Sequence, residues 1–191
     1  MRKYLLRIIT FSTLLALIFS FSVPLAMGAG QRDLKARFKI DDQICLINGQ
    51  SVAMSHPPFI KNGRTFVPIR VLAKALDLED KNVIWDPSSR SVTLVKEYQT
   101  VSLENAGTLK TVVVKLTIVA GSSTMHYSAQ DLSNSVNNSA NNSIELDALP
   151  EIINSQMFVP LRFVAEAFGY EVNWNAEERT VEIWDVKISG D

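Results

Sequence analysis

The chain has 191 residues, with 20 acidic residues against 19 basic ones and a formal net charge of −1. This balance provides no basic field for nucleic acid and no acidic tail, so neither kind of electrostatic partner is predicted. The single cysteine, Cys45, excludes an internal disulfide. It lies in the apolar run "QICLING", and we therefore interpret it as a small core residue.

The first 28 residues have the pattern of a secretory signal peptide. A basic start, an apolar run from Ile8 to Val23 and the small residues Ala26-Met27-Gly28-Ala29 follow one another in that order. Cleavage is expected after Gly28 or Ala29. An uncleaved membrane anchor is the alternative, because the run approaches the ~17 residues that a span needs.

Export without disulfides is typical of a bacterial surface protein, so we expect a secreted or cell-surface location. After cleavage no membrane attachment is expected. Residues 29–42 are interpreted as a linker.

An internal repeat is the most informative feature of the remaining sequence. "NGRTFVPIR" (62–70) recurs as "NSQMFVPLR" (154–162). Downstream, "VIWDPSSRSVTLV" (83–95) aligns with "VNWNAEERTVEIW" (172–184). A repeat on this scale indicates one structural unit per copy, with a core that the copies bury together.

Each copy predicts a short strand, a proline and a short helix. Pro68 and Pro160 suit the first helical position, because the N–H that proline lacks would have no partner there. Apolar residues then recur at i, i+3, i+4 and i+7, on one face of a helix. Helices of this length depend on packing. The two apolar stripes are Ile69, Leu72, Ala73 and Leu76, and Leu161, Val164, Ala165 and Phe168.

A β-hairpin is predicted after each helix and another strand pair before each motif. Asn48-Gly49 marks the turn of the first upstream pair. The chain is therefore predicted to be an α+β domain, mostly antiparallel β-sheet with short helices, made of two pseudo-symmetric β-β-α-β-β units. The expected boundaries are 43–185 for the domain, 43–97 for unit one, 112–185 for unit two, 128–145 for a mobile Ser/Asn-rich loop and 186–191 for a C-terminal tail.

The repeated arginines, Arg70 and Arg162, lie in the first turn of the predicted helices. The helix dipole disfavours a cation there by ~0.3–1 kcal/mol, so another interaction must hold each residue. We expect each guanidinium to hydrogen-bond carbonyls or a carboxylate of the adjacent hairpin and so to clamp helix to sheet. Its planar set of donors is one that lysine lacks. The alternative is a site for an anionic ligand.

Other candidate residues give weaker signals. His56 and His126 have no Cys, Asp or Glu at ligand spacing, so no metal site and no cofactor are predicted. No nucleophile motif or phosphate loop is present, so no catalytic residue is predicted. Trp85 and Trp174 share predicted strand faces with valines and are expected in the core. Trp184 lies on the opposite strand face and is the candidate exposed aromatic for binding.

The paired motifs with their downstream tryptophan hairpins resemble the copper amine oxidase N-terminal domain-like family, also called stalk domains. The resemblance covers about residues 43–185. It implies an antiparallel sheet with short helices and a non-catalytic accessory role in exported proteins of Gram-positive bacteria. It supplies no catalytic residues, because the copper site of the oxidases belongs to a separate, larger domain. Ser155-Gln156-Met157 departs from the Gly-Arg-Thr of the family motif.

These features together predict an exported, non-catalytic stalk or binding module at the bacterial cell envelope. Its expected partner is an envelope protein or a cell-wall glycan. Two alternatives stay open at this point. One is a secreted enzyme of unknown type, and the other is a protein that self-assembles into oligomers through exposed sheet edges.

Overall fold

The computed structural model describes residues 32–101, 109–132 and 139–186. All of them lie within one unit, Gln31–Ile188. The predicted signal peptide (1–28) and all of the predicted tail beyond Val186 lie outside the described residues. Within the described ranges, no helix is both long enough and apolar enough to cross a membrane.

Strands and two short α-helices alternate in the same order in the two halves of the chain. The first half contains β1 (Arg32–Lys39), β2 (Ile44–Ile47), β3 (Gln50–Ala53), β4 (Phe59–Lys61), β5 (Arg64–Pro68), α1 (Ile69–Ala75), a 3-10 turn (Asp80–Asn82), β6 (Val83–Asp86) and β7 (Ser91–Val101). The second half contains β8 (Leu109–Val119), β9 (Thr124–Asp131), β10 (Ser139–Glu145), β11 (Glu151–Ile153), β12 (Gln156–Pro160), α2 (Leu161–Ala167), β13 (Glu171–Asn175) and β14 (Thr180–Val186).

The strands form three sheets, and each sheet combines strands from both halves. The first sheet has the order β13-β14-β1-β2-β3, the second β10-β9-β8-β7-β6, and the central sheet β11-β12-β5-β4. Every ladder is antiparallel. The prediction of an α+β fold, mostly antiparallel sheet with short helices, is confirmed.

In the central sheet the two copies of the Phe-Val-Pro motif pair with each other. Val67 lies opposite Val159, and each motif's phenylalanine lies opposite the other motif's proline. Both valines have no exposed surface. The repeated motif therefore joins the two halves at the middle of the fold.

The main core is formed by alternate residues of the strands and by the apolar stripes of both helices. Leu72, Leu94 and Leu116 are fully buried in it, and each such side chain contributes about 1.5–3 kcal/mol of burial free energy. Cys45 also lies in this core, as the sequence predicted. Burial raises the pKa of its thiol to about 11, so the thiol is protonated at neutral pH.

A smaller aromatic cluster lies apart from the main core. Phe66 and Phe158 are each 1% exposed and pack with Ala148. Phe59 stacks on Phe66, with ring centroids 5.2 Å apart. The neighbouring residues Phe66 and Val67 thus belong to different clusters, as the alternation of side chains along a strand requires.

The helix starts differ from the prediction by one residue. Pro68 and Pro160 are N-cap residues with extended backbone, at φ −60° and ψ 127° for Pro68, and the helices begin at Ile69 and Leu161. Each proline is also the last residue of a strand that pairs with its counterpart. The strand ladder therefore keeps the proline extended.

Both helices are followed by a residue with left-handed backbone. Asp77 and Gly169 adopt left-handed backbone conformations, with φ of 58° and 81°. The residue after each one donates its N–H back to the helix, from Leu78 to Ala73 and from Tyr170 to Ala165, at 3.0 and 3.1 Å. These bonds close both helices in the same way.

Two predicted irregular segments contain strands instead. The linker prediction for 29–42 is wrong over Arg32–Lys39, which forms β1 between β14 and β2. Ala36 and Phe38 alternate with charged residues, which is a strand pattern of period two, and both are buried.

The prediction of a mobile loop over 128–145 is also wrong outside 133–138. Residues 128–131 continue β9, residues 139–145 form β10, and the two strands pair. Backbone groups make the ladder, so small polar side chains at an exposed edge do not prevent it. Residues 133–138 lie outside the described residues.

A polar cluster connects the C-terminal end of α1 to the second half of the chain. The carbonyl oxygen of Leu76 accepts hydrogen bonds from Lys96 Nζ at 2.8 Å and from Tyr170 Oη at 3.1 Å. The side chain of Asp77 pairs with Lys35 Nζ at 2.8 Å. Burial lowers the pKa of Lys96, while the hydroxyl of Tyr170 lies within hydrogen-bond distance of its ammonium, at 2.5 Å. The cluster gives the buried Leu76 carbonyl, at the C-terminal end of a short helix, two donors.

The lowered pKa of the Asp77 carboxyl group predicts that the protein loses stability in acid. Burial alone would raise its pKa, but hydrogen bonds from Lys35 and Asn48 outweigh burial and lower the pKa below 3.8. A lowered pKa gives stability that is present above the unfolded pKa of about 4 and is lost as the pH falls through the folded value. Asp77→Asn should cost about 0.5–1 kcal/mol near pH 7, because solvent screens the pair, and should flatten the acid limb.

Urea unfolding between neutral pH and about pH 3 measures both effects. Asp80→Asn, at an exposed position of the following turn, is the matched control and should leave the profile unchanged. An Asp77→Asn profile that is parallel to the wild-type profile would contradict the assignment.

Candidate functional site

Two open clefts lie where the start of one helix approaches the hairpin tip from the other half of the chain. The Arg70 cleft is lined by Arg70 and Trp85 with the β11–β12 tip, and has a volume of about 400 Å³. The Arg162 cleft is lined by Arg162 and Trp174 with the β4–β5 tip, and has a volume of about 420 Å³. Each cleft therefore takes its arginine and tryptophan from one half and its opposite wall from the other.

The tryptophans of these clefts were expected in the core, and that expectation is wrong. Trp85 is 39% exposed and Trp174 is 42% exposed. Each lies next to the last residue of its strand, beside the hairpin turn, whereas Val83 and Val172 on the same strand face are buried. Nearness to the turn was the sequence signal that could have placed the tryptophans outside the core.

Trp184, the predicted exposed aromatic, is half-buried and lines neither cleft. Its Nε1 donates a hydrogen bond to Glu182 Oε2 at 3.2 Å. The guanidinium carbon of Arg32 lies 5.5 Å from the ring centroid, within the range of a cation–π contact. Trp85 and Trp174, and not Trp184, are therefore the exposed aromatic candidates for binding.

Arg162 has the geometry of the predicted clamp. Its Nη1 donates to the carbonyl oxygen of Val172, in the adjacent hairpin, at 2.8 Å. The same nitrogen donates to Glu166 Oε1 at 3.1 Å, one helical turn away. These contacts connect α2 to β13 and satisfy the charge of Arg162 within the protein.

Arg70 occupies the equivalent position without those contacts. Among the described residues, none forms a hydrogen bond or an ion pair with its guanidinium. The residue one helical turn further on is Lys74, where α2 has Glu166. The two repeated arginines therefore have different surroundings, and the clamp geometry is present only at Arg162.

A second arginine in the Arg162 cleft is also paired. Arg64 Nε lies 3.0 and 2.9 Å from the two carboxylate oxygens of Asp147. This side-chain hydrogen bonding lowers the pKa of Asp147 below 3.8. Both arginines of the Arg162 cleft thus have carboxylate partners.

Four side chains organise the polar wall of the Arg70 cleft. Gln156 Oε1 accepts a hydrogen bond from Ser55 Oγ at 2.9 Å and lies 3.0 Å from His56 Nδ1. Asn154 Nδ2 lies 3.0 Å from His56 Nε2. The His56 tautomer with its proton on Nδ1 donates to Gln156 Oε1 and accepts from Asn154 Nδ2, so it satisfies both contacts of the ring. Among the described residues, no carboxylate lines this cleft, and Arg70 contributes a positive charge to it.

No group of three or more His, Cys, Asp or Glu side chains that could hold a metal ion occurs in the described part of the chain. His56 lies in the Arg70 cleft. His126 is exposed on β9, where its Nδ1 lies 3.3 Å from Ser143 Oγ. The two histidines are therefore not part of one site.

A profile of the copper amine oxidase N-terminal domain matches residues 31–93, 46–112 and 106–183 of the chain. The first match begins at β1, the third ends within β14, and the second overlaps both. The family resemblance noted in the sequence is confirmed. No curated protein and no solved structure matches the chain significantly.

The different surroundings of the two arginines predict different effects on stability. Arg162→Met should destabilise the protein by about 0.5–1.5 kcal/mol, because it removes the hydrogen bond to the Val172 carbonyl. Arg70→Met, the matched control at the equivalent position, should change stability by less than about 0.5 kcal/mol. Thermal and urea unfolding measure both. Equal losses in the two variants would show that the clamp geometry at Arg162 does not stabilise the fold.

Proposed function

Because the chain belongs to the copper amine oxidase N-terminal domain family, whose domains are non-catalytic and stalk-like, we propose that it is an exported binding module of the bacterial cell envelope. The signal-peptide pattern of residues 1–28 supports export. In this proposal the chain catalyses no reaction, and its partner is an envelope protein or a cell-wall glycan.

We also propose that the two halves are related by a pseudo-two-fold axis that passes between Val67 and Val159. The register of β5 against β12 supports it, since the two motifs face each other symmetrically. The sheet orders support it too, because β13-β14-β1-β2-β3 corresponds to β6-β7-β8-β9-β10.

Equivalent backbone hydrogen bonds recur in the two halves. Ile40 N–H donates to the carbonyl oxygen of Arg179 at 2.9 Å, and Ala120 N–H donates to the carbonyl oxygen of Arg90 at 3.0 Å. A second pair has the same length, since the bonds from Met54 to Gln43 and from Leu146 to Ser123 are both 2.7 Å. The two-fold relation explains why the molecule has two clefts of similar size and why both halves contribute to each.

The observation that carries the binding role is the exposure of a tryptophan beside an arginine in each cleft. A tryptophan buries a large apolar area when it has a partner, and exposed aromatic and arginine side chains in a concave site are typical of binding surfaces.

Expression of the tagged full chain in a Gram-positive host tests this function. The chain should be found in the envelope or medium fraction, and envelope material such as purified peptidoglycan should retain it. Trp85→Ala combined with Trp174→Ala should reduce retention at least about tenfold, since buried aromatic contacts dominate binding sites. Trp184→Phe, outside the clefts, is the control and should keep retention. Retention in the cytoplasm, or turnover of hydrolase or oxidase substrates, would contradict the proposal.

A further inference from the structure

We propose that the Arg70 cleft binds a saccharide that carries a carboxylate, with Arg70 on the carboxylate and Trp85 against the sugar ring. This inference rests on the binding role proposed above and specifies its site and the chemistry of its ligand. Three independent properties of the cleft support it: its charge, its aromatic wall and its polar wall.

The charge of the cleft favours an anion. Arg70 has no hydrogen-bonding or ionic partner among the described residues, and the cleft lining contains no carboxylate. A guanidinium presents several donors in one plane and matches a carboxylate with two parallel hydrogen bonds. An anionic group on the ligand is therefore the complement that the cleft itself does not supply.

The contrast with the Arg162 cleft strengthens this point. There, Arg162 donates hydrogen bonds to Glu166 and to the Val172 carbonyl, and Arg64 donates to Asp147. Lys74 and Gln156 stand at the positions that correspond to Glu166 and Arg64. Lys74 lies outside the lining of the Arg70 cleft, and it leaves Arg70 without the carboxylate that Arg162 has one helical turn away.

The aromatic wall favours a ligand with a flat apolar face. Trp85 lines the cleft with 39% of its surface exposed, next to Ile69 and Val92. The faces of a sugar ring carry C–H groups that pack against an aromatic ring while the hydroxyl groups at the rim stay polar. The cleft volume of about 400 Å³ lies within the ~300–1,000 Å³ of small-molecule sites.

The polar wall offers hydrogen-bonding groups that suit a saccharide. The network of Ser55, His56 and Gln156 fixes one amide of the wall, and Asn154 is held through His56. Gln156 Oε1 and Asn154 Nδ2 are used in this network, so Gln156 Nε2 remains as a donor and Asn154 Oδ1 as an acceptor. The hydroxyl and acetamido groups of a sugar can hydrogen-bond to both.

Isothermal titration of the full chain with two soluble probes tests the inference. One probe is a glycan of alternating N-acetylglucosamine and N-acetylmuramic acid, which has free carboxylates, and the other is a neutral chitooligosaccharide of equal length. The carboxylated glycan should bind at least about tenfold more tightly, because a charge-assisted hydrogen bond is stronger than a neutral one.

Variants then assign the site. Arg70→Gln should remove the preference for the carboxylated probe. Trp85→Ala should lower the affinity for both probes about tenfold. Arg70→Lys keeps the charge without the planar donors and should retain part of the preference. Lys74→Gln removes a cation one helical turn away, outside the cleft lining, and should leave both affinities unchanged. Thermal unfolding verifies that each variant is folded.

Several results would overturn the inference. They are equal affinity for the two probes, no binding of either, equal losses in Arg70→Gln and Lys74→Gln, or tighter binding of a peptide through its C-terminal carboxylate. If envelope material still retains the wild-type chain while neither saccharide binds, the inference fails and the proposed envelope-binding function stands. If envelope retention also fails, the proposed function itself is wrong.

Discussion

The antiparallel pairing of β5 with β12 is the contact on which the rest of the structure depends. It places Val67 opposite Val159, with no exposed surface on either, at the junction of the two halves. Pro68 and Pro160 end these strands and start the helices, so one ladder fixes the direction of both helices. The first and second sheets also require both halves, because each combines strands of both. Neither half has a complete sheet of its own around the core.

The repeat preserves shape, while a few substitutions change the chemistry. Both clefts keep a tryptophan, an arginine and a hairpin tip. Glu166 in α2 corresponds to Lys74 in α1, so only Arg162 has a carboxylate one helical turn away. Arg162 thus holds a helix to a sheet, while Arg70, at the corresponding position of the sequence repeat, is exposed to solvent.

Local patterns in the sequence predicted local structure well. The apolar stripes predicted both helices, and Asn48-Gly49 forms the predicted hairpin turn. The pattern could not predict which strands are neighbours, because alternation specifies the face of a strand and not its partner. β1 was missed in the predicted linker, although Ala36 and Phe38 alternate with charges, because its partner β14 is far away in the sequence. The exposure of Trp85 and Trp174 was missed because alternation places a side chain on one face of a strand and does not show where the strand leaves the core; nearness to the turn is the signal that does.

Separate expression of the two halves tests most directly whether each completes the other. Polypeptides spanning residues 32–101 and 109–186 would be studied by circular dichroism and amide NMR, alone and mixed in equal amounts. The account predicts that each fragment alone, as a monomer, lacks dispersed amide signals and cooperative unfolding, and that mixing produces both. A single fragment that unfolds cooperatively as a monomer would contradict it.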